Sequence, residues 1–183
     1  MLSKVKFVTG NPNKLREARQ ILGIDIEQAD AGDLEEIQTI YVEELIQHKA
    51  LAAYDKVGLP VIVEDTGLVF EAWNGLPGAL IKWFLKTVDN EGLIKMLGEE
   101  SNRRALAQCF IAYHDGSKME IVKGEISGTI ATSVRGKNGF GWDRIFIPEG
   151  HERTFAEMSA EEKNSFSMRK RAFENLKEFF GKY

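Results

Sequence analysis

Val5-Lys6-Phe7-Val8-Thr9-Gly10-Asn11-Pro12-Asn13-Lys14 is the stretch that decides the fold class. Its first four residues read as a short buried strand. Leu15, Ala18 and Leu22 follow at i, i+3 and i+7, as on one face of a helix. Gly10 allows the sharp turn between the two. Asn11 stands where an N-cap belongs and Pro12 at the first helical position, and a residue before proline avoids the α region, as an N-cap must. Lys14 then falls in the first turn, where the helix end already carries partial positive charge. Free backbone N–H groups and a lysine at one helix start make an anion site, so Thr9, Gly10, Asn11, Pro12, Asn13 and Lys14 read as a phosphate cradle. A plain strand–turn–helix with a solvated lysine fits the same residues. The spacing is not that of a Walker A loop.

Outward from this stretch, Gly23 ends the helix as a C′ glycine would, and Ile24 to Glu27 alternates like a half-exposed strand. Asp30 to Gln38 is a polar loop. Tyr41 to Val57 is a helix stopped by Gly58 and Pro60. Val61-Ile62-Val63 is a strand buried on both faces that runs into Glu64-Asp65-Thr66-Gly67. Strands alternating with helices specify an α/β fold, and in such sheets ligands lie at the carboxyl ends of the strands. Thr9–Lys14 and Glu64–Gly67 both follow strand ends and can face one cleft, which favours the cradle over the plain turn.

The second half reads differently. Asn74 to Gly78 is a tight loop, and Ala79 to Leu97 a helix broken near Asp89-Asn90, with Asn90 as the cap of its second piece. Ala105 to Tyr113, containing Cys109, and Met119 to Ala131 are long strands joined by a turn at His114 to Ser117. Gly124 and Gly128 read as bulge or bend points. Arg135 to Asp143 is a glycine-rich loop with two aromatics, and Arg144 to Ile147 a further strand. Ser159-x-x-Glu162 is a capping box, and Ser167 recaps a last helix through Phe180. The long strand pair is expected to form a second lobe, giving one domain with two lobes over residues 1–183.

Composition sets limits. The 183 residues are 43% hydrophobic, enough for a real core, and carry 24 basic against 28 acidic residues for a net charge of −4. That balance argues against a nucleic-acid binder driven by phosphate neutralisation, but not against a small anion in a local basic pocket. Cys109 is the only cysteine, which leaves no disulfide framework and no thiolate metal site. Met1 to Lys6 lacks the apolar region of a signal peptide, and no apolar run is long enough to span a membrane. A cytoplasmic protein without a membrane partner is the expectation.

Several residues could carry chemistry. Asp65, at the end of a buried strand, reads as a metal ligand or general base, or as a turn aspartate capping its own backbone; Glu64 could play either part. Glu35 and Glu36 lie across from it, and a loop glutamate with Asp65 beside a phosphate would suit Mg²⁺, although loop carboxylates are usually just solvated. Phe140 and Trp142 could stack on a nucleobase or tuck into the core. Lys163 and Arg169 are donors only, and so suit the keto oxygen of a 6-oxopurine rather than the amino group of adenine. Lys170 and Arg171 read as a solvated face. His48, His114 and His151 have no metal-ligand spacing and read as surface or turn residues. No nucleophile elbow is present.

Taken together, the segments resemble the inosine triphosphate pyrophosphatase family, which clears non-standard purine nucleotides. The resemblance rests on Phe7-Val8-Thr9-Gly10-Asn11-x-x-Lys14, Asp33-Leu34-x-Glu36-Ile37-Gln38 and Val63-Glu64-Asp65-Thr66-Gly67-Leu68. It continues through Gly75-Leu76-Pro77-Gly78, Gly139-Phe140-Gly141-Trp142-Asp143 and Thr154-Phe155-Ala156-Glu157-Met158, and closes with Glu161-Glu162-Lys163-Asn164 and Ser167-Met168-Arg169. It implies an α/β fold with a long twisted mixed sheet flanked by helices, two lobes around a central cleft, a homodimer and dependence on Mg²⁺. Carried over residue by residue, Thr9, Gly10, Asn11, Pro12, Asn13 and Lys14 bind the triphosphate, with Lys14 holding the leaving pyrophosphate. Glu36 and Asp65 hold Mg²⁺, and Asp65 resembles the proton acceptor. Thr66 touches the substrate. Phe140, Gly141, Trp142, Asp143, Lys163, Met168 and Arg169 line the base pocket. Met168 departs from the pattern, because the family usually has a histidine there and a thioether cannot donate to a keto oxygen.

The expectation is therefore a pyrophosphohydrolase that converts ITP, dITP and XTP to the monophosphate and pyrophosphate. Two rivals stand beside it: a related pyrophosphatase for modified pyrimidine nucleotides, and a nucleotide-binding regulatory module that has lost catalysis.

Overall fold

A computed structural model of the chain describes residues 5–32 and 34–181. Asp33 of the second motif lies outside them, as do most of the residues behind the leader reading. Strands β1 (Lys6–Val8), β2 (Glu27–Ala29), β3 (Val61–Phe70), β4 (Pro77–Gly78), β5 (Arg104–His114), β6 (Met119–Ile130) and β7 (Phe146–Pro148) form one sheet. The helices are α1 (Pro12–Leu22), α2 (Val42–Val57), α3 (Ile81–Thr87), α4 (Asp89–Leu97), α5 (Ala160–Phe166) and α6 (Met168–Gly181). The strand order is β2-β1-β3-β5-β6-β7, with β4 also on β3. The β1 pairings are parallel and the rest antiparallel, so the sheet is mixed, as expected. Among the described residues, no helix is long and apolar enough to cross a membrane.

The opening stretch folds as its sequence dictates. Asn11 is the N-cap of α1, its side chain accepting from the Asn13 N–H at 2.9 Å, and Pro12 occupies the first turn. Gly23 closes the helix at φ 69° with its N–H on the Arg19 carbonyl. Gly58 closes α2 in the same left-handed conformation.

β3 is the strand on which the site depends, and it is longer than Val61 to Val63. It runs ten residues, paired one-to-one with β5 from Val61–His114 to Phe70–Ala105. Glu64-Asp65-Thr66-Gly67 is therefore not a turn after the strand but its middle. On the opposite edge, β1 pairs only as far as Val8–Val63, and β4 takes over at Leu68–Gly78. Residues 64–67 thus lie between the two partner strands on that edge. Alternation sends Ile62, Glu64 and Leu68 to one face and Val63 and Asp65 to the other. The first face, joined by Phe7 of β1, packs against α1 and α6 through Ala18, Ala172 and Phe173. The second packs against α2 through Val42, Ile46, Ala50 and Ala53.

Other expectations need adjustment. The second strand begins at Glu27 rather than Ile24, and the β7 strand at Phe146, because Gly141–Arg144 forms a one-turn 3₁₀ helix. The helix expected over Ala79 to Leu97 starts at Ile81 and breaks at Val88, and Asn90 is a buried residue in the first turn of α4 rather than its cap. No bulge occurs at Gly124 or Gly128, since β5 and β6 stay in register throughout. The glycines permit close approach instead. A Cβ on Gly124 would fall 2.0 Å from the Met168 carbonyl oxygen and 2.4 Å from the Ala172 nitrogen, both in α6. His114 is buried at the end of β5, with Nδ1 3.0 Å from the Lys118 carbonyl oxygen, rather than exposed in a turn.

Candidate active site

The interrupted edge of β3 opens into a cavity of about 540 Å³. Its floor carries Asp65 and Thr66, one wall comes from Thr9, Gly10, Asn11 and Lys14, and Glu36 and Lys49 stand beside Asp65. Phe140, Gly141, Trp142, Asp143, Lys163, Met168 and Arg169 line the far end. The structure thus brings together residues from six of the eight motifs quoted above; Gly75–Gly78 and Thr154–Met158 do not line the cavity. Pro12 and Asn13 do not line the cavity; they shape the first turn of α1 that presents Lys14. Glu35 is exposed, as a solvated loop carboxylate would be.

Lys14 is not a free cation at a helix start. Its Nζ lies 3.2 Å from Asp65 Oδ1, 3.2 Å from the Glu64 carbonyl oxygen and 3.4 Å from Glu64 Oε1. The adverse helix-end field is offset by two carboxylates on β3. Thr9 Oγ1 accepts from the Asn11 N–H at 3.1 Å, and Gln28 Nε2 donates to the Thr9 carbonyl at 2.7 Å, fixing the loop before the helix.

Lys49, on α2, is a residue the sequence reading missed. Its Nζ donates to Asp65 Oδ2 at 2.8 Å and to Glu36 Oε1 at 2.9 Å, and Lys82 Nζ reaches Glu36 Oε2 at 3.1 Å. A signal was present: Lys49 falls on the same helical stripe as Val42, Leu45, Ile46 and Ala53, all buried, where a lysine needs a partner.

On the other face of β3, Glu64 receives Arg169 through two bonds, Nε to Oε2 at 2.8 Å and Nη2 to Oε1 at 3.0 Å. Arg169 Nη1 also binds Glu17 Oε2, and Glu17 Oε1 accepts from Lys163 Nζ at 3.1 Å. Lys163 in turn binds Asp143 Oδ2 at 2.6 Å. Lys82, Glu36, Lys49, Asp65, Lys14, Glu64, Arg169, Glu17, Lys163 and Asp143 therefore form one chain of strictly alternating charge. It runs the length of the cavity. Glu17 was also missed, although it lies one turn from Lys14 and one turn from Ile21 on the buried face of α1.

The chain sets the ionisation of its members. Burial pushes Asp65 up, but Lys14 and Lys49 outweigh it and hold the carboxyl well below the usual range. Burial likewise opposes the pull of Lys49 on Glu36, whose pKa ends lowered. Glu64, also pushed up by burial, is drawn down to about 2 by Arg169 and Lys14. Asp143 is the exception: burial outweighs Lys163 and its pKa is raised. The carboxylates nearest Lys14 and Lys49 stay ionised through neutral pH.

At the far end the two aromatics part company. Trp142 is 5% exposed and packs edge-on to Phe146 at 5.5 Å, so most of it belongs to the core. Phe140 keeps a half-buried ring 4.9 Å from Lys163 Nζ and 5.5 Å from the Arg169 guanidinium carbon. Lys163 and Arg169 are not idle donors awaiting a keto oxygen; both are buried and engaged with carboxylates. Each still has N–H capacity beyond those bonds. Met168 is 1% exposed and offers the cavity a thioether.

Among the described residues no three His, Cys, Asp or Glu side chains converge as a metal cage. Glu36 and Asp65 do converge on one ammonium. Two carboxylates with phosphate oxygens and water completing the shell are what Mg²⁺ commonly takes, so the donor set fits that ion.

A cleft at the interrupted edge of a mixed sheet, lined by six cations against three carboxylates and aromatic at one end, marks an α/β domain whose cavity suits a small anionic ligand with a flat ring. The sequence model of the Ham1 family matches residues 5–179, and the chain belongs to that family. It is 44% identical over 181 residues to a dITP/XTP pyrophosphatase of Methanopyrus kandleri, covering 97% of this chain and 96% of that protein. It is 47% identical over 180 residues to an inosine triphosphate pyrophosphatase of Yarrowia lipolytica, covering 96% and 94%. The fold matches a HAM1 protein of Coxiella burnetii with a TM-score of 0.86 at 31% identity, each chain fully covered. The resemblance read from the motifs and the α/β fold it implied are borne out.

Proposed function

We infer that the chain is a nucleoside triphosphate pyrophosphatase that hydrolyses ITP, dITP and XTP to the monophosphate and pyrophosphate, cleansing the nucleotide pool. The relatives named for those substrates support this, and they match almost the full length of the chain. The observation that carries the reading is Asp65 held between Lys14 and Lys49 on the cavity floor.

Water attacks the α-phosphorus, the bond from that phosphorus to the bridging oxygen breaks, and pyrophosphate leaves. Asp65 accepts a hydrogen bond from the attacking water and orients it, taking its proton as the bond forms. A carboxylate held so low is a weak base while both lysines bind it. A triphosphate entering the cavity offers those lysines better anionic partners and frees Asp65. Lys14 and Lys49 then stabilise charge on the phosphate oxygens and the leaving group, aided by the N–H groups at the start of α1. Glu36 and Asp65 would hold Mg²⁺, which when bound neutralises phosphate charge. Thr66 contacts the substrate beside them. Phe140 packs on the purine, and Asp143, Lys163, Met168 and Arg169 enclose its edge. The same reading has the protein work as a homodimer in the cytoplasm, open to light scattering and cell fractionation.

Pyrophosphate release measured side by side on ITP, XTP, dITP, GTP, ATP, dUTP and dCTP tests the assignment. The reading expects ITP, dITP and XTP to lead. Preference for dUTP or dCTP would make it a pyrimidine enzyme, and tight ITP binding without release a regulatory module.

A further inference from the structure

The break between α3 and α4 does more than turn the chain. Asp89 adopts φ 57°, a left-handed conformation uncommon for a residue with a side chain. Its Oδ1 accepts from the Asn90 N–H at 2.7 Å and lies 3.3 Å from Asn90 Nδ2. Asn90 is 4% exposed, and its Nδ2 donates to the Gly141 carbonyl oxygen at 3.0 Å. Its Oδ1 has no partner among the described residues. The bond to the Gly141 carbonyl offsets part of the cost of burying that amide.

Gly141 belongs to the segment that carries Phe140 and leads into Asp143. That segment wraps Asp143 closely: the Phe140 N–H donates to Asp143 Oδ2 at 2.8 Å, and a Cβ on Gly139 would fall 2.1 Å from that oxygen. Asp143 holds Lys163, and Lys163 underlies the Phe140 ring. The amide of Asn90 therefore ties the α3–α4 corner to the loop that sets the aromatic end of the cavity. Helix α3, on the other arm of that corner, lines the cavity with Ile81, Lys82 and Leu85.

We propose that Asn90 is a positioning residue for nucleobase recognition: its Nδ2–H fixes the Gly141 carbonyl and hence the Phe140 ring against the purine. The proposal rests on the proposed function for its substrate, but the tie itself does not. Among the described residues Asn90 bonds to Asp89 and Gly141 and to none of Thr9 to Lys14, so its loss should weaken the hold on the base and leave the triphosphate end unchanged.

Asn90→Leu keeps the branched shape and removes the donor without placing a charge beside Asp89. Its KM for ITP should rise about ten-fold with kcat changed less than about two-fold, the scale of one buried hydrogen bond. The Kd for inorganic tripolyphosphate should not move. Hydrogen exchange in peptides spanning 138–144 should quicken in the ligand-free variant, while exchange in β5 stays as in the wild type. Should Asn90→Leu not fold, Asn90→Ala carries the same comparison. Unchanged loop exchange overturns the tie. Faster loop exchange with unchanged KM overturns the role in base recognition. If the wild type fails to turn over ITP, the proposed function has failed, and the exchange measurement still decides whether Asn90 holds the loop.

Discussion

Lys49 Nζ lies 2.8 Å from Asp65 Oδ2 and reaches Glu36 with its next hydrogen, so one ammonium from α2 holds two carboxylates at the mouth of the interrupted β3 edge. Burial pushes both carboxyls up, and Lys49 is among the charges that bring them down. Lys49→Met removes that pull, so both pKa values rise. The carboxylates then protonate sooner on acidification, and the acid limb of kcat/KM for ITP moves to higher pH. Turnover near pH 7.5 should fall about a hundred-fold, as when one electrostatic donor is lost from a site. An acid limb that stays where it is in the wild type would remove Lys49 from the account.

Glu64 faces the other way and meets Arg169 in the interior. Its folded pKa of about 2 is below its ordinary 4.5. The pairing therefore contributes stability that is fully present above about pH 4.5 and lost as pH falls toward 2. Glu64→Gln leaves the buried guanidinium short of charge and should cost about 3–5 kcal/mol at pH 7. The difference from the wild type should narrow at pH 3. Urea unfolding at both values checks the sign; a gap that widens in acid would contradict it.

Gly124 is where α6 rests on β6. A methyl group there meets backbone atoms of α6, which cannot swing aside as a side chain could. Gly124→Ala should destabilise by about 1–3 kcal/mol. It should also lower activity, because α6 opens with Met168 and Arg169. Thermal unfolding and ITP turnover on one preparation test both effects.

Much of this was legible in the sequence, for local reasons. Asn11, Pro12, Gly23 and Gly58 act through their own backbone conformations, so the bounds of α1 and the end of α2 could be read directly. The length of β3 could not. Glu64-Asp65-Thr66-Gly67 looks like a turn because two carboxylates in mid-strand are costly, and the cations that compensate them come from α1, α2 and α6. Arg169 finds its partners 105 and 152 residues away, a distance no local pattern encodes. Lys49 and Glu17 were visible as charged residues on apolar helical stripes, a signal open to the sequence reading but passed over. Phe140 and Trp142 look alike in a glycine-rich loop. Only the packing of Phe146 and Phe155 decides which of the two joins the core.

Met168 gives the base end of the cavity no hydrogen-bond donor of its own. Met168→His would supply one beside Lys163 and Arg169. The ratio of kcat/KM for ITP over ATP should then rise about ten-fold, because a site that donates to the keto oxygen meets another donor in adenine. An unchanged ratio would assign purine selection to Lys163 and Arg169 alone.

The central claim is that Asp65 serves the chemistry of pyrophosphate release. Asp65→Asn preserves the shape of the side chain and removes its charge. With ITP and Mg²⁺, the wild type should release pyrophosphate, and the variant, folded by circular dichroism, should lose at least about a thousand-fold in kcat. Turnover by Asp65→Asn close to that of the wild type would contradict the assignment of the site.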